Sequence, residues 1–145
     1  MENFHIKGST YIPNIDFNAE TGILEIAGES YHEYTTEFYQ PVFDWLEAYL
    51  KECGKDANEP GREIQMNFKM TYFNTSSSRR FIEILTMLED YQKEQAAKDP
   101  ASAEKDFVIV NWYYEENDVD MHESGEEYEE DVDLTFKLIS TPATV

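Results

Sequence analysis

The sequence is poor in basic residues and in cysteine. Only 11 Lys and Arg stand against 31 Asp and Glu, which gives a formal net charge of −20 at pH 7. Nucleic acids and anionic membranes would repel such a chain, so neither is expected as a partner. Because Cys53 is the one cysteine, an intramolecular disulfide is excluded.

Long apolar runs are also missing. No stretch approaches the roughly 20 apolar residues that a membrane-spanning helix needs. The first ten residues, MENFHIKGST, lack the basic and apolar regions of a signal peptide. With 145 residues the chain has the length of one domain. We therefore expect a cytoplasmic protein with a single domain over residues 1–145, whose structured core runs from about 9 to 140.

Patterns that bind metals or form covalent intermediates are scarce. His5, His32 and His122 are far apart, and none has the spacing to another His or Cys that a zinc site uses. Cys53 ends an amphipathic segment and is expected to be an unreactive thiol. The sequence contains neither a glycine-rich phosphate loop nor a G-x-S-x-G elbow. These residues predict no metal, no cofactor and no catalytic group.

Five segments have the pattern of β-strands: residues 12–17, 23–26, 63–73, 107–114 and about 132–138. Between the first two, residues 18–22 predict a hairpin connection, because Gly22 permits a tight turn. The third segment alternates most strictly, and its apolar residues are expected to face one side of the sheet: Ile64, Met66, Phe68, Met70 and Tyr72.

Two segments have helical periodicity. The stripe of the first is Phe38, Val42, Trp45, Leu46 and Tyr49, which we interpret as core rather than as a ligand site. Pro41 marks either the start of this helix or a kink, and Gly54 its end. The second helix carries Phe81, Ile82, Leu85, Leu88 and Tyr91 and runs to about Gln95. Strands interleaved with helices predict an α/β fold with a mixed, largely parallel sheet, an N-terminal β-hairpin and helices packed on the sheet.

An acidic segment, residues 115–131, separates the last two predicted strands. No Lys or Arg occurs between Lys105 and Lys137. DMHESGEEYEED resembles a calcium-binding loop because Gly125 falls at its sixth position. The match fails because His122 stands where an oxygen ligand is required and Asp131 replaces the long bidentate Glu at the last position. A solvated acidic face, or a short helix, is the preferred interpretation.

The sequence NTSSSRR, residues 74–80, stands where the third predicted strand gives way to the second helix. Asn, Thr and Ser are preferred N-cap residues, so a helix cap is the simplest interpretation. A helix N-terminus also accepts negative charge, and a phosphate on Thr75 or a neighbouring serine would add roughly −1.5 to −2 charge. Arg79 and Arg80 are close enough in sequence to pair with such a phosphate.

Three sequence blocks resemble the SiaC family of bacterial regulatory phosphoproteins: IPNIDFNAETGILEIAGES, PVFDWLEAYL and FNTSSSRRFIEIL. The likeness runs from about Tyr11 to Phe136, and its most specific part is the Asn-Thr-Ser-Ser corner. It implies a fold similar to STAS domains, the class that includes anti-sigma-factor antagonists. Those proteins carry a phosphorylatable Ser or Thr at the start of the helix that follows a central strand.

The resemblance implies that Thr75 is the phosphoacceptor, modified by a dedicated Ser/Thr kinase and restored by a PP2C-type phosphatase. It further implies that the unmodified form binds and activates a diguanylate cyclase, which links the protein to cyclic-di-GMP and biofilm signalling. We therefore expect a non-enzymatic switch. The residues expected to contact the phosphate or the partner are Asn74, Ser76, Ser77, Ser78, Arg79 and Arg80.

Two alternatives remain open from the residues. The 75–80 corner could bind a substrate phosphate in a small phosphate- or nucleotide-binding enzyme, with a carboxylate of the acidic segment as base or metal ligand. The chain could also be an acidic cation-binding domain. Turnover by the isolated protein would favour the first, and specific cation binding the second.

Overall fold

The computed structural model describes residues 1–31, 33 and 35–143. They form one mixed sheet with helices packed on it. Its strands are β1 (Phe4–Ile6), β2 (Asn14–Asn18), β3 (Ile23–Ser30), β4 (Ile64–Phe73), β5 (Val108–Glu115) and β6 (Thr135–Thr141). Its α-helices are α1 (Thr35–Cys53), α2 (Thr75–Ala96) and α3 (Val119–Asp131), and a short 3₁₀ helix covers Pro100–Ser102.

The strands lie in the sheet in the same order as in the chain. Strands β1, β2 and β3 pair antiparallel, whereas β3, β4, β5 and β6 pair parallel. Each parallel pair is joined by one α-helix, and connections of one hand place their helices on one side of the sheet. The predicted α/β class, with a mixed, largely parallel sheet and an N-terminal hairpin, is confirmed. Strand β1 was missed, because its three residues, FHI, are too few to show a pattern.

The hairpin between β2 and β3 turns on Gly22, as the sequence predicts. Its φ of 75° lies in the left-handed region that favours glycine. A Cβ here would also lie 2.7 Å from the carbonyl oxygen of Glu63. The Gly22 carbonyl oxygen accepts from the amide of Gln65 at 2.9 Å, which fixes the hairpin to the start of β4.

The core lies between the sheet and the helices. Ile64, Met66, Phe68 and Met70 of β4 are buried on the helix side, as predicted. The α1 stripe is shifted from the prediction, since Tyr39 is fully buried while Phe38 and Trp45 are only partly buried. Helix α1 begins at Thr35, so Pro41 lies inside the helix at an exposed position. None of the described helices is both long enough and apolar enough to cross a membrane.

A shift in pairing interrupts the alternation of β4 at Thr71. Gly28 pairs with Met70 and Glu29 with Tyr72, so Thr71 has no partner on β3. Tyr72 is therefore on the side away from the helices and is 50% exposed. Phe73 points inward instead, with its ring centroid 5.1 Å from that of Phe81. The prediction that Tyr72 shares a face with Met70 is wrong, because a bulged residue reverses the alternation after it.

The face of the sheet that carries Tyr72 has no α-helix from the described residues packed on it, and its middle is polar. Asn111 of β5 is nearly buried, and its side-chain nitrogen donates to the side-chain oxygens of Gln65 at 2.7 Å and Asn67 at 2.8 Å. Further along the same face, Lys69 forms an ion pair with Glu25 at 2.8 Å. We refer to this side as the open face.

Most of the acidic segment is the helix α3 rather than an open loop. The indole nitrogen of Trp112 donates to the carbonyl oxygen of Met121 at 2.9 Å, which holds the helix against β5. Gly125 is buried against the Trp112 ring, where a Cβ would lie 2.5 Å from the ring carbon Cδ1. Gly125 therefore serves helix packing, and the calcium-loop alternative loses the loop that it requires.

Candidate functional site

The 74–80 corner lies at the carboxyl end of β4, where that strand gives way to α2. Asn74 is the N-cap of α2, with extended backbone angles (φ −89°, ψ 175°). Its side-chain oxygen Oδ1 accepts from the amide of Ser77 at 2.8 Å, which satisfies one free N–H of the first turn. The predicted cap and strand-to-helix corner are confirmed, and helix α2 begins at Thr75 itself.

Thr75 is exposed at the first position of α2. Within the described residues its hydroxyl makes no hydrogen bond, and the residue is open to solvent. The first turn of α2 contains no acidic residue that would repel an anion there. A phosphate on this oxygen would stand at the N-terminus of the helix, where free N–H groups and the helix dipole stabilise negative charge.

Ser77 lies in the interior, although the sequence grouped it with the contacting residues. Its side chain is fully buried, and its hydroxyl donates to the carbonyl oxygen of Ser30 at 2.7 Å. The hydroxyl oxygens of Ser30 and Ser77 are also 2.7 Å apart, and Tyr39 reaches the Ser30 hydroxyl at the same distance. Ser77 thus fixes the start of α2 to the end of β3, and in this position it contacts neither a partner nor a phosphate.

The N-terminal ends of α1 and α2 meet at the corner. The hydroxyl of Thr35, the first residue of α1, lies 2.5 Å from the hydroxyl of Ser76. Two helix dipoles therefore direct their positive ends at the same place, which strengthens the attraction for negative charge. Ser76 is exposed, so it can also contact a molecule bound at the corner.

The two arginines have different environments. Arg80 is held by Glu83, with Nη2 3.1 Å from the carboxylate, and its Nη1 lies 3.5 Å from the Thr36 hydroxyl. Arg79 is exposed and makes no hydrogen bond or ion pair with the described residues. Since Arg79 follows Thr75 by four positions, both lie on one face of α2. Arg79 is therefore the arginine better placed to reach an anion on Thr75.

Ser78 connects the corner to the acidic helix. Its hydroxyl oxygen lies 2.6 Å from the Tyr128 phenol oxygen, and Tyr128 also donates to the Ser78 carbonyl oxygen at 3.0 Å. Burial raises the pKa of Tyr128 to about 12, against the lowering effect of its bond to Ser78. Beside this contact lies a cleft of 230 Å³ whose charged lining residues are Arg79, Glu127 and Asp131.

The other candidate residues form no site. Across the described ranges, no three His, Cys, Asp or Glu side chains converge as metal ligands would. His5 is in β1, His122 stacks on Tyr114 with ring centroids 4.5 Å apart, and His32 lies outside the described residues. Burial raises the pKa of the Cys53 thiol, which lowers its thiolate fraction and its reactivity.

Ser30, Thr35 and Tyr128 were missed in the sequence analysis, although they hold the corner in place. For Tyr128 a signal existed, since Met121, Gly125 and Tyr128 are spaced as one buried face of a helix. A similar signal applied to Ser77, which stands four residues before the buried Phe81. For Ser30 the sequence contains no such signal, because its contacts with Asn74 and Ser77 arise from the pairing of two strands that are distant in the chain.

Comparison with known proteins gives one consistent result. Residues 6–141 match the model of the family described as SiaC family regulatory phosphoprotein. An uncharacterised protein of Pseudomonas aeruginosa (strain UCBPP-PA14) is 28% identical over 138 residues, which covers 95% of this chain and 96% of that protein.

Solved structures agree with the family match. SiaC of Pseudomonas aeruginosa superimposes with a TM-score of 0.77 at 26% identity, covering 97% of this chain and 100% of that one. The chain is also similar to a protein in the crystal structure of the diguanylate cyclase SiaD in complex with its activator SiaC, from the same organism. That match has a TM-score of 0.76 at 27% identity and covers 95% and 99% of the two chains.

Proposed function

Because the chain belongs to the SiaC family of regulatory phosphoproteins, we propose that it is a non-enzymatic switch that binds and activates a diguanylate cyclase. Phosphorylation of Thr75 turns the switch off. The observation that carries this proposal is the exposed hydroxyl of Thr75 at the N-terminus of α2, beside the N-terminus of α1. The related SiaC of Pseudomonas aeruginosa is the activator of the diguanylate cyclase SiaD, which supplies the partner class.

The corner suits a phosphate that is added and removed reversibly. The free N–H groups of the first helical turn, the two helix dipoles and the exposed Arg79 favour the phosphorylated state without covering it. A kinase and a phosphatase can both reach Thr75 because the residue is on the surface. We assign these roles to a Ser/Thr kinase and a PP2C-type phosphatase in the cytoplasm, with cyclic-di-GMP and biofilm formation as the output.

Phosphorylation would prevent docking through charge and solvation. An interface fitted to a neutral hydroxyl has no group of its own to pair with an added charge of roughly −1.5 to −2. Docking would therefore remove water from the phosphate and leave only the contacts of the corner itself in its place. A cyclase surface that suits a chain with a net charge of −20 would be positive overall. Such a surface would attract an added negative charge at long range. The loss of binding on phosphorylation therefore depends on local contacts and shape at Thr75 more than on the long-range electrostatic attraction between the two proteins.

The test compares Thr75→Ala, Thr75→Asp and stoichiometrically phosphorylated protein in calorimetric binding to the diguanylate cyclase of the same organism. Thr75→Ala is expected to bind and activate as the wild type does. Thr75→Asp and the phosphorylated protein are expected to bind at least about tenfold more weakly, as for a desolvated charge at an interface. Equal affinity of the unmodified and phosphorylated proteins would exclude the gate.

Thr86→Asp is the matched control. Thr86 is exposed on the same helix, three turns after Thr75, and its hydroxyl bonds only to the carbonyl oxygen of Ile82 within the described residues. The substitution makes the same change of net charge outside the corner. We expect Thr86→Asp to bind like the wild type, which would show that position rather than total charge controls docking.

A further inference from the structure

Three tyrosines form an exposed cluster beside the corner. The ring centroids of Tyr11 and Tyr31 are 4.8 Å apart, and those of Tyr31 and Tyr72 are 5.3 Å apart, both edge-to-face. Tyr11 is 56% exposed and Tyr72 50% exposed. One exposed aromatic residue needs no explanation, but a contiguous group of them on a highly charged protein indicates a contact surface.

The backbone holds this tyrosine cluster in place. The pairing shift at Thr71 turns Tyr72 onto the open face, and the amide of Tyr31 donates to the carbonyl oxygen of Tyr11 at 3.2 Å. A tyrosine side chain has few rotatable bonds, so rings already packed against each other lose little entropy when a partner covers them. The cluster is therefore ready to bind before a partner arrives.

The tyrosine cluster and Thr75 belong to one edge of the sheet. Tyr72 precedes Thr75 by three residues, which limits their Cα separation to about 11 Å. Tyr31 follows Ser30, whose carbonyl oxygen accepts both the Asn74 amide and the Ser77 hydroxyl. An interface of ordinary size buries about 800 Å² on each partner, which is wide enough to cover both features.

The surroundings of the cluster indicate the chemistry of its occupant. Glu29 pairs with Tyr72 in the sheet and lies beside Tyr31. Glu33 and Glu37 are exposed a few residues further along. Electron-rich ring faces next to carboxylates attract a cation with an apolar stem, such as the side chain of Arg or Lys.

We propose that Tyr11, Tyr31 and Tyr72 anchor the diguanylate cyclase by receiving an Arg or Lys that the cyclase presents beside apolar side chains. This inference rests on the proposed function and adds a second part to the docking surface. Thr75 decides whether docking is permitted, whereas the tyrosine cluster provides affinity in the unphosphorylated state. Tyrosine at the centre of an interface is among the residues that contribute most to binding.

The experiment measures calorimetric binding of unphosphorylated variants to the diguanylate cyclase of the same organism. Tyr72→Ala is expected to weaken binding at least about tenfold, and Tyr72→Leu nearly as much, because leucine keeps apolar bulk without the ring. Tyr72→Phe keeps the ring and is expected to remain within about threefold of the wild type. These side chains are outside the core, so circular dichroism and thermal unfolding should match the wild type.

Ile23→Ala is the matched control. Ile23 is 45% exposed on the open face at the opposite end of the sheet, since it begins β3 and pairs with Gln65. Removing it deletes exposed apolar area without touching the edge that carries Thr75. We expect its affinity to remain within about twofold of the wild type, because contacts outside an interface do not contribute to binding.

The outcomes separate the two proposals. If the wild type binds the cyclase and Tyr72→Ala binds equally well, the tyrosine cluster is excluded as a binding surface, while the proposed control of binding through Thr75 is unaffected. If the wild type does not bind, both fail. Equal losses for Tyr72→Phe and Tyr72→Ala would exclude a ring-dependent contact. Sedimentation of the chain alone must show a monomer, because self-association abolished by Tyr72→Ala would assign the tyrosine cluster to a second copy of this chain instead.

Discussion

Tyr128 and Ser78 are joined by two hydrogen bonds that connect the acidic helix α3 to the first turn of α2. The phenol donates to the Ser78 carbonyl oxygen at 3.0 Å, which leaves the Ser78 hydroxyl to donate to the phenol oxygen at 2.6 Å. The Ser78 carbonyl oxygen therefore accepts a hydrogen bond from a second helix. These two hydrogen bonds make the arrangement of the candidate site depend on α3, although the proposed phosphoacceptor Thr75 is in α2.

Tyr128→Phe should lower the free energy of unfolding by about 1 kcal/mol, since it removes both hydrogen bonds while keeping the ring. Urea denaturation followed by tryptophan fluorescence measures the change. Tyr113→Phe is the control, because the Tyr113 phenol makes no hydrogen bond with the described residues and its ring lies under Lys69. A loss of the same size in both variants would show that the Ser78 contact is not the cause.

Stability should fall in alkali through the buried tyrosines. Burial raises the pKa of Tyr49 and of Tyr128 to about 12, and it also raises the pKa of Tyr39 and Tyr91. Because the folded-state pKa exceeds the unfolded value of about 10, this stabilisation is complete below pH 10 and is lost as the pH rises towards 12.

Denaturation midpoints between pH 8 and 11.5 test this expectation. The free energy of unfolding should be flat up to about pH 9.5 and then decline, by at most about 1.4 kcal/mol per pH unit for each tyrosine. The free energy of unfolding of Tyr128→Phe should decline less steeply with pH, because one of the buried phenols that contribute to the slope is absent. A stability that is constant through pH 11 would contradict the burial of these phenols.

Asn74→Ala should destabilise the start of α2 by about 1 kcal/mol, because the Ser77 amide loses its cap. Asn74→Asp keeps the accepting oxygen and should retain most of the stability. Hydrogen exchange of the Ser77 amide gives a local measurement and should accelerate in the alanine variant only. Asn58→Ala, in the exposed loop after α1, is the control and should behave as the wild type.

Gly125→Ala should cost roughly 1–3 kcal/mol through overpacking, because the new methyl group would meet the Trp112 ring and lie 2.9 Å from Leu138 Cδ2. Thermal unfolding measures the loss, and the tryptophan emission should shift as Trp112 moves. Glu123→Ala, exposed two residues earlier on α3, removes a charge without touching the interface with β5. An unchanged Gly125→Ala protein would mean that α3 is not held against Trp112.

Periodicity in the sequence predicts the parts of the fold that repeat. The alternation of β4 holds from Ile64 to Met70, because residues two apart in a strand point to the same side of the sheet. In α2 most of the predicted stripe is buried, but Ile82 is only partly buried and Ile84 is buried instead. The prediction fails at Tyr72, where a pairing shift between β3 and β4 reverses the faces. Such a shift depends on two strands that are distant in the chain, so one strand's pattern contains no sign of it.

The sequence predicted where the candidate site lies, but not which of its side chains are exposed and which are buried. The run of four hydroxyl residues looks uniform in the sequence, yet Thr75 and Ser76 are exposed while Ser77 is buried against Ser30. A helix turns by about 100° at each residue, so neighbouring side chains cannot share one environment. The roles of Arg79 and Arg80 differ for the same reason.

The unpaired position at Thr71 makes the number of residues in β3 and β4 as important as their chemistry. A one-residue insertion in β3 opposite Thr71, between Gly28 and Glu29, would restore regular pairing and exchange the surroundings of the next two rings. A phenol would then enter the oily interior next to Trp112, and the ring of Phe73 would be left in water. A gene longer by one codon could thus retain every amino acid of this stretch and still present a different surface to other proteins.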